Sequence, residues 1–465
     1  MDNTPNLAIA LDLGTTSIKA ALLDQQGILR NITSRPAPTI NTSNGHYESD
    51  ALKYLETTEH VLKDCLAQTD NKPPLGLCSQ RSSFLIWDKT TGNPITPLIS
   101  WQDNRGKHWY ENIQKSENKI RELTGLRLTP YYFAPKLSYL LQDHPAWRKK
   151  LENTEWLIGT LDTFLIWYWT HGQHFFTDAS MAARTLLMDI HQQQWSAHLC
   201  DLFKIPISIL PAIKPSTNLN LSLDNGLILQ ASVGDQSAAL IASVDKNTEA
   251  LVNLGTGGFV IRYLAQDKCS ANGYLQTLVY QDNNHHAQVA IEGTLNSIAA
   301  ALAPYPVNEC RIEDLATNSI YCLAEPSGLG APYFKDNWGI RFSRTTSHLT
   351  TQQITALLLE AIIFRVSRIL EEFNDQSPIT RVYLSGGLSE LLCLQHGIRQ
   401  CTSLPIYHSQ QKESSLQGAA LLAAGNKTTL QQQVKEIKIE FKNNALSKKY
   451  SHWKNWLDEM LKIGV

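Results

Sequence analysis

A carboxylate, a glycine and two hydroxyls fall within five residues near the start of the chain, in Asp12-Leu13-Gly14-Thr15-Thr16. Gathered at one turn, these groups can hold magnesium-bound phosphate. Backbone N–H groups and hydroxyls donate to the phosphate oxygens, and the carboxylate orients the waters of the metal. An ordinary hairpin turn with polar residues has the same composition, and this turn alone favours that plainer reading. The layout returns 241 positions later in Asn253-Leu254-Gly255-Thr256-Gly257-Gly258, with Asn253 in the place of Asp12, Gly255 of Gly14 and Thr256 of Thr15. A duplicated turn predicts two related domains, each offering one phosphate-binding turn, able to grip a polyphosphate from both sides of a cleft. A third glycine site, Ser385-Gly386-Gly387, follows the apolar Val382-Tyr383-Leu384 and precedes a helical pattern. There a flat base and ribose can approach the backbone closely. Between the turns, Gly234-Asp235-Gln236 closes an apolar strand and opens a helix of small residues. Asp235 there is either an N-cap or a general base that takes the proton of a hydroxyl attacking a γ-phosphate. Its place just before the second turn favours the base.

Strands and turns must position these groups. The apolar runs on either side of Gly14-Thr15-Thr16 predict a β-hairpin over 7–24, with Asp12 at the end of its first strand and a third strand starting at Ile28-Leu29. The chain contains neither Gly-x-x-x-x-Gly-Lys-Ser/Thr nor Gly-x-Gly-x-x-Gly, which removes the P-loop and Rossmann readings. The 465 residues imply two or three domains, and 43% hydrophobic with 18% charged residues excludes a disordered chain. A net charge of −2 gives no global attraction to nucleic acid or an anionic membrane, and neither is expected as a partner. No run approaches the ~18 apolar residues of a membrane span, and residues 1–6 lack the basic residue of a secretory signal. The eight cysteines never form Cys-x-x-Cys, and His285-His286 has no third ligand at usable spacing. A reduced, cytoplasmic protein without disulfides or zinc is expected.

In their order and spacing these stretches resemble the FGGY carbohydrate kinases. They are joined by Ser79-Gln80-Arg81, Ser100-Trp101-Gln102-Asp103-Asn104-Arg105, Thr177-Asp178-Ala179-Ser180 through Arg184, Glu292-Gly293-Thr294 and Gln417-Gly418-Ala419-Ala420. The resemblance runs from Ile9 to about Gly425 and is greatest to the glycerol-kinase branch. It implies an α/β fold of two actin-like (ribonuclease H-like) domains with an interdomain catalytic cleft. The implied domains are 1–234, carrying the polyol or sugar and the first phosphate turn, and 235–425, carrying ATP, with 426–465 as a C-terminal amphipathic tail. The implied reaction moves the γ-phosphate of ATP, with Mg²⁺, to a primary hydroxyl of a small polyol or ketose. Asp12 and Asp235 would organise the metal. Gly14, Thr15, Thr16, Gly255 and Thr256 would touch phosphates, Gly386 and Gly387 would lie under the adenosine, and Asp235 would be the catalytic base. Lys19 would add a cation near the γ-phosphate or be a solvated surface lysine. Gln80, Arg81, Ser82, Trp101, Tyr131 and Gln236 fall at substrate positions, Trp101 and Tyr131 being equally compatible with core aromatics. The partner is a small carbohydrate or polyol, and a homodimer is compatible with the reading.

The departures bear on the substrate. Ser82 stands where glycerol kinases place a Glu that binds a glycerol hydroxyl, which removes a strong acceptor and leaves room. Phe133-Ala134-Pro135-Lys136-Leu137 resembles the pentulose (xylulose) kinases, Tyr139 replaces a Trp, Arg341-Phe342-Ser343 blurs the second signature, and Leu391 replaces an adenine-side Asn. The segment 224–229 lacks the loop through which bacterial glycerol kinases bind an allosteric sugar bisphosphate. A larger polyol or ketose, a pentulose among them, is therefore expected to compete with glycerol. Two other classes share the fold: filament or chaperone ATPases indifferent to sugar, and a degenerate kinase kept for regulation. Helices are expected over 50–67, 109–123, 136–141, 143–152, 351–373 and 417–424. A last amphipathic helix is expected from Trp453, Trp456, Leu457, Met460 and Leu461.

Overall fold

The computed structural model describes residues 6–107, 109, 113–264, 273–410, 412–425, 434–438 and 444–463. These form two units, one from the described residues of 1–242, 276–289 and 413–431, the other from those of 243–275, 290–412 and 432–465.

In the first unit a six-stranded sheet runs in the order Thr217–Ser222, Ile228–Gly234, Leu75–Ser79, Ala8–Leu13, Ser17–Leu23, Leu29–Pro36. Ala8–Leu13 and Ser17–Leu23 form the expected antiparallel hairpin. Ala8–Leu13 also lies parallel to Leu75–Ser79, which lies parallel to Ile228–Gly234. Leu13 and Gly234 are both in register with Ser79, so the three parallel strands end together. Gly14, Gln80 and Asp235 therefore leave the sheet side by side, at the carboxyl edge where α/β sheets place their ligands. The near-continuous apolar strands are buried on both faces, as parallel pairing requires. The helix Ala51–Leu66, capped by the Asp50 carboxylate on the N–H of Lys53, covers one face with Tyr54, Leu55, Val61 and Leu62. The other face meets Ser414–Ala424. Residues 235–425 were expected to form one domain, yet Leu416, Ala419, Ala420 and Ala423 share a buried cluster with Ala8, Ala10, Cys78, Ala231 and Val233. Small side chains on both elements permit that approach, and no local sequence signal records it.

A second sheet of the same unit orders Asn41–Ser43, His46–Ser49, Leu98–Ile99, Phe84–Asp88 and Trp156–Thr160. The helix Phe133–Asp143 packs on it through Phe133, Ala134, Leu137 and Leu140. The span 109–123, expected as one helix, is helical at residues 109 and 113, a 3₁₀ turn at Gln114–Ser116 and an α-helix at Glu117–Thr124, ended by Gly125; residues 108 and 110–112 lie outside the described set.

The second unit repeats the plan. Glu249–Leu254 pairs antiparallel with Gly258–Tyr263 and parallel with Arg381–Ser385, which pairs parallel with Ile406–Ser409. The long helix Thr351–Gln376 begins in a capping box of Thr350 and Gln353 and buries an apolar face. The C-terminal helix Asn444–Ile463 buries Leu446, Tyr450, Trp453 and Leu457, the Trp453 indole N–H donating to Cys322 O at 2.9 Å. Among the described residues no helix is long and apolar enough to cross a membrane, every cysteine is free, and no group of three His, Cys, Asp or Glu could hold a metal.

Candidate active site

Asp12, near the end of its strand, has a buried Oδ1 with no hydrogen-bond partner among the described residues. Burial, reinforced by the charge of Asp235, pushes its carboxyl up to about 7 against the pull of the Cys78 thiol and Lys19. Lys19 is not a solvated lysine, because its Nζ donates to both carboxylate oxygens of Glu413 at 2.7 Å.

Asp235 is the first residue of the helix Asp235–Ser243 and accepts the N–H of Gln236 at 2.7 Å. Burial raises its carboxyl above the ordinary range, and Arg81 is the largest opposing influence, followed by the Gln236 N–H and Arg184. Arg81 Nε stands 3.5 Å from Asp235 Oδ1, and Arg81 Nη2 donates to Gln236 Oε1. This reach depends on Gly234, where a Cβ would lie 2.8 Å from Arg81 Cδ. The carboxylate is thus half-buried, aimed by one guanidinium and under the influence of a second carboxylate. Such surroundings tune a general base.

The Gln80 side chain is only 4% exposed. Its Oε1 accepts the hydroxyls of Thr15 at 3.3 Å and Ser83 at 2.9 Å, and its Nε2 donates to the Tyr54 hydroxyl at 3.4 Å. Tyr54 in turn donates to Gly14 O at 2.7 Å. In this arrangement Gln80 braces the first turn. Trp101 donates its indole N–H to Thr15 Oγ1 at 2.9 Å, and its backbone N–H goes to Ser83 Oγ at 2.9 Å. Its side chain is nonetheless 43% exposed, so it is not a core aromatic. An indole with its N–H satisfied and its face open suits the C–H edge of a carbohydrate. Tyr131 is 48% exposed, outside the core too, and among the described residues no hydrogen bond links it to this cluster. Ser82, at φ +63°, donates its hydroxyl to Arg184 O at 3.1 Å. Phe133 turns away into the core, its ring tilted 59° against Phe84 with centroids 4.7 Å apart.

Sequence reasoning missed Tyr54, Ser83 and Arg184 as members of this group. Arg184 lies in a stretch that carried the resemblance, which was the available signal. Tyr54 acts through contacts 26 and 40 residues away, and Ser83 through Gln80 and Trp101, 3 and 18 residues away.

In the second unit the turn is tighter. Leu13 pairs with Ile18, leaving four residues between them, whereas Leu254 pairs with Gly258, leaving three. Gly255 N–H donates to Gly257 O at 2.8 Å, and Thr256 O accepts the N–H of Ala299 at 3.2 Å. Asn253 is in register with Ser385 as Asp12 is with Cys78. Gly386 has φ +87°, and a Cβ there would sit 2.4 Å from Leu254 O; at Gly387 a Cβ would meet nothing within 4 Å. The backbone at Gly387 is bare and open to a flat ligand.

Asp12 fits a divalent cation. It offers a hard oxygen with no partner, in a site whose two carboxylates repel each other until a positive charge arrives. Two carboxylates leave the remaining coordination to phosphate oxygens and water.

The chain matches the N-terminal domain of the FGGY family of carbohydrate kinases over residues 7–245 and the C-terminal domain of that family over 232–426. It is 31% identical over 441 residues to the glycerol kinase of Acaryochloris marina, covering 89% of this chain and 88% of that one. The crystal structure of Plasmodium falciparum glycerol kinase with ADP superposes with a TM-score of 0.87 at 23% identity, covering 97% and 98% of the two chains. Rhodospirillum rubrum xylulose kinase gives a TM-score of 0.81 at 18% identity over 98% and 99%. The structural likenesses show the expected two-domain α/β kinase fold.

Proposed function

The chain belongs to the FGGY family of carbohydrate kinases and is an ATP-dependent alcohol phosphotransferase, and we propose that it phosphorylates a primary hydroxyl of a small polyol or ketose larger than glycerol. The observation that carries the site assignment is the pairing of Asp235, aimed by Arg81, with Asp12 and its unpartnered buried oxygen. In this reading Asp235 accepts the proton of the substrate hydroxyl as it attacks the γ-phosphate. Arg81 and Gln236 donate to substrate oxygens, and Trp101 covers an apolar edge. Asp12, with Asp235, holds Mg²⁺, which when bound neutralises phosphate charge. Gly14, Thr15 and Thr16 in the first unit, and Gly255 and Thr256 in the second, donate to phosphate oxygens. Gly386 and Gly387 give the adenosine a side-chain-free surface. Lys19, already held by Glu413, serves the first turn by fixing its strand. Tyr131 supplies a second open aromatic face.

Ser82 supports the larger substrate. It presents no carboxylate to a glycerol hydroxyl, and its own hydroxyl is occupied by Arg184 O. Losing a charged hydrogen-bond partner costs about 1.5–3 kcal/mol, or roughly ten- to a hundredfold in kcat/KM for glycerol. The test measures ADP release with glycerol, ribulose, xylulose, ribitol and sedoheptulose, for the wild type and Ser82→Glu. A five-carbon substrate should beat glycerol, and Ser82→Glu should narrow the gap. A strong wild-type preference for glycerol that Ser82→Glu leaves untouched sinks the larger-substrate reading. ADP release indifferent to every carbohydrate sinks the kinase site itself.

A further inference from the structure

Lys136 buries an amine among apolar side chains. It lies in the helix Phe133–Asp143 between Pro135 and Leu137, with none of its surface exposed. Its Nζ donates to two main-chain carbonyls, Ser82 O and Ser100 O, each at 2.8 Å, and passes 5.6 Å from the centre of the Phe84 ring. Burial lowers its ammonium to about 7, with Asp103 pulling it up and Arg105 pushing it down. Asp103 is itself occupied by Arg105 and by the N–H of Tyr47. An amine donates to two carbonyls whether or not it carries its third proton, so hydrogen-bond geometry is what this side chain supplies. For packing alone, a methionine would fill the same volume without the cost of burying an amine.

The two carbonyls belong to the residue after Arg81 and the residue before Trp101, and a second tie, Trp101 N–H to Ser83 Oγ at 2.9 Å, joins the same two segments. We infer that Lys136 is a positioning residue for the carbohydrate, clamping the Gln80–Ser83 and Ile99–Trp101 segments so that Arg81 and Trp101 face the substrate at a fixed separation. This rests on the proposed role of those two side chains. Misplacing a binding group by about 1 Å can cost on the order of a hundredfold.

The test compares Lys136→Met with Ser138→Ala, on the same helix, whose hydroxyl donates to Ala134 O and Phe203 O and touches neither segment. Lys136→Met should raise KM for the carbohydrate at least about tenfold and leave KM for ATP within about twofold. Ser138→Ala should lower the melting temperature yet leave both KM values unchanged. Should Lys136→Met fail to fold, Lys136→Gln, which keeps a donor on a shorter arm, should show the same selective rise in smaller measure. Equal shifts in both KM values, no shift, or the same carbohydrate shift in Ser138→Ala overturns the inference. Arg81→Ala separates the causes. If it raises carbohydrate KM while the Lys136 variants do not, the clamp alone is wrong; if it does not, the carbohydrate site is wrong and the clamp falls with it.

Discussion

The two glycine turns share a frame of strands and differ in almost everything hung on it. Each is a hairpin whose first strand also pairs in parallel with a strand that ends beside the turn: Leu75–Ser79 in the first unit, Arg381–Ser385 in the second. The first turn is crowded with side chains. Thr15 bonds to Gln80 and Trp101, Tyr54 braces Gly14 from the helix, and two carboxylates repel each other nearby. The second has Asn253 for Asp12, one residue fewer in the loop, and two glycines, Gly386 and Gly387, where Ser79 and Gln80 would be matched. Bare backbone binds flat ligands and phosphate without chemistry, whereas placed carboxylates and donors perform it. Duplication supplied the frame twice, and side chains gave the halves different work.

The sharpest way to break that contrast is Asp235→Ala. It should lower kcat at least about a hundredfold while the dissociation constant for ATP stays near the wild-type value. A variant retaining more than about a tenth of wild-type kcat would show that the first turn's carboxylates do not do the chemistry.

A smaller effect separates the turns by their matching threonines. Thr256→Val removes a phosphate donor from a turn with little else and should raise KM for ATP roughly tenfold, with carbohydrate KM nearly unchanged. Thr15→Val instead removes the hydroxyl that donates to Gln80 and leaves the Trp101 indole N–H without its acceptor, so KM for the carbohydrate should rise. Steady-state kinetics giving both variants the same pattern would erase the difference between the turns.

How much of this the sequence carried follows from the range of the interactions involved. The hairpins, the repeat, Asp12, Asp235 and the C-terminal helix rest on local alternation, turn residues and helical spacing, all visible within about a dozen residues. Gln80 bracing Thr15, Lys136 bridging Ser82 and Ser100, and Ser414–Ala424 joining the first unit depend on contacts across 65, 36 to 54, and more than 300 residues. Hydrogen bonds to main-chain carbonyls leave no mark on the accepting residue's identity, so Ser82 and Ser100 gave no hint of Lys136. Trp101 and Tyr131 could not be told from core aromatics until their exposure was seen.

Next in size is the bare backbone itself. Gly386→Ala forces a Cβ to within 2.4 Å of Leu254 O at φ +87°, which should destabilise the fold by about 1–3 kcal/mol. Gly387→Ala meets nothing within 4 Å and should leave the melting temperature nearly unchanged while raising KM for ATP. Equal melting shifts for the two would contradict the different duties assigned to neighbouring glycines.

The smallest effect compares how the units bury charge. The second unit pairs two of its deeply buried acids, Glu325 with Arg365 at 2.7 Å and Glu360 with Lys449. In the first unit, Asp162 and Asp178 have no basic side chain in contact among the described residues. Burial pushes Asp162 up to about 7 against the Thr160 hydroxyl, and Asp178 up to about 6 against Ser216 and the backbone N–H groups of Ser180 and Met181. An acid with a raised folded pKa binds more protons folded than unfolded between its two pKa values. Its contribution is therefore complete below about 3.8 and is lost as pH rises through 6 to 7. Urea unfolding between pH 4.5 and 8 should show stability falling across that window. Asp162→Asn should flatten the slope by up to one proton, about 1.4 kcal/mol per pH unit. An unchanged slope in Asp162→Asn would mean that this carboxyl is ionised throughout, held by contacts as effective as the ion pairs of the second unit.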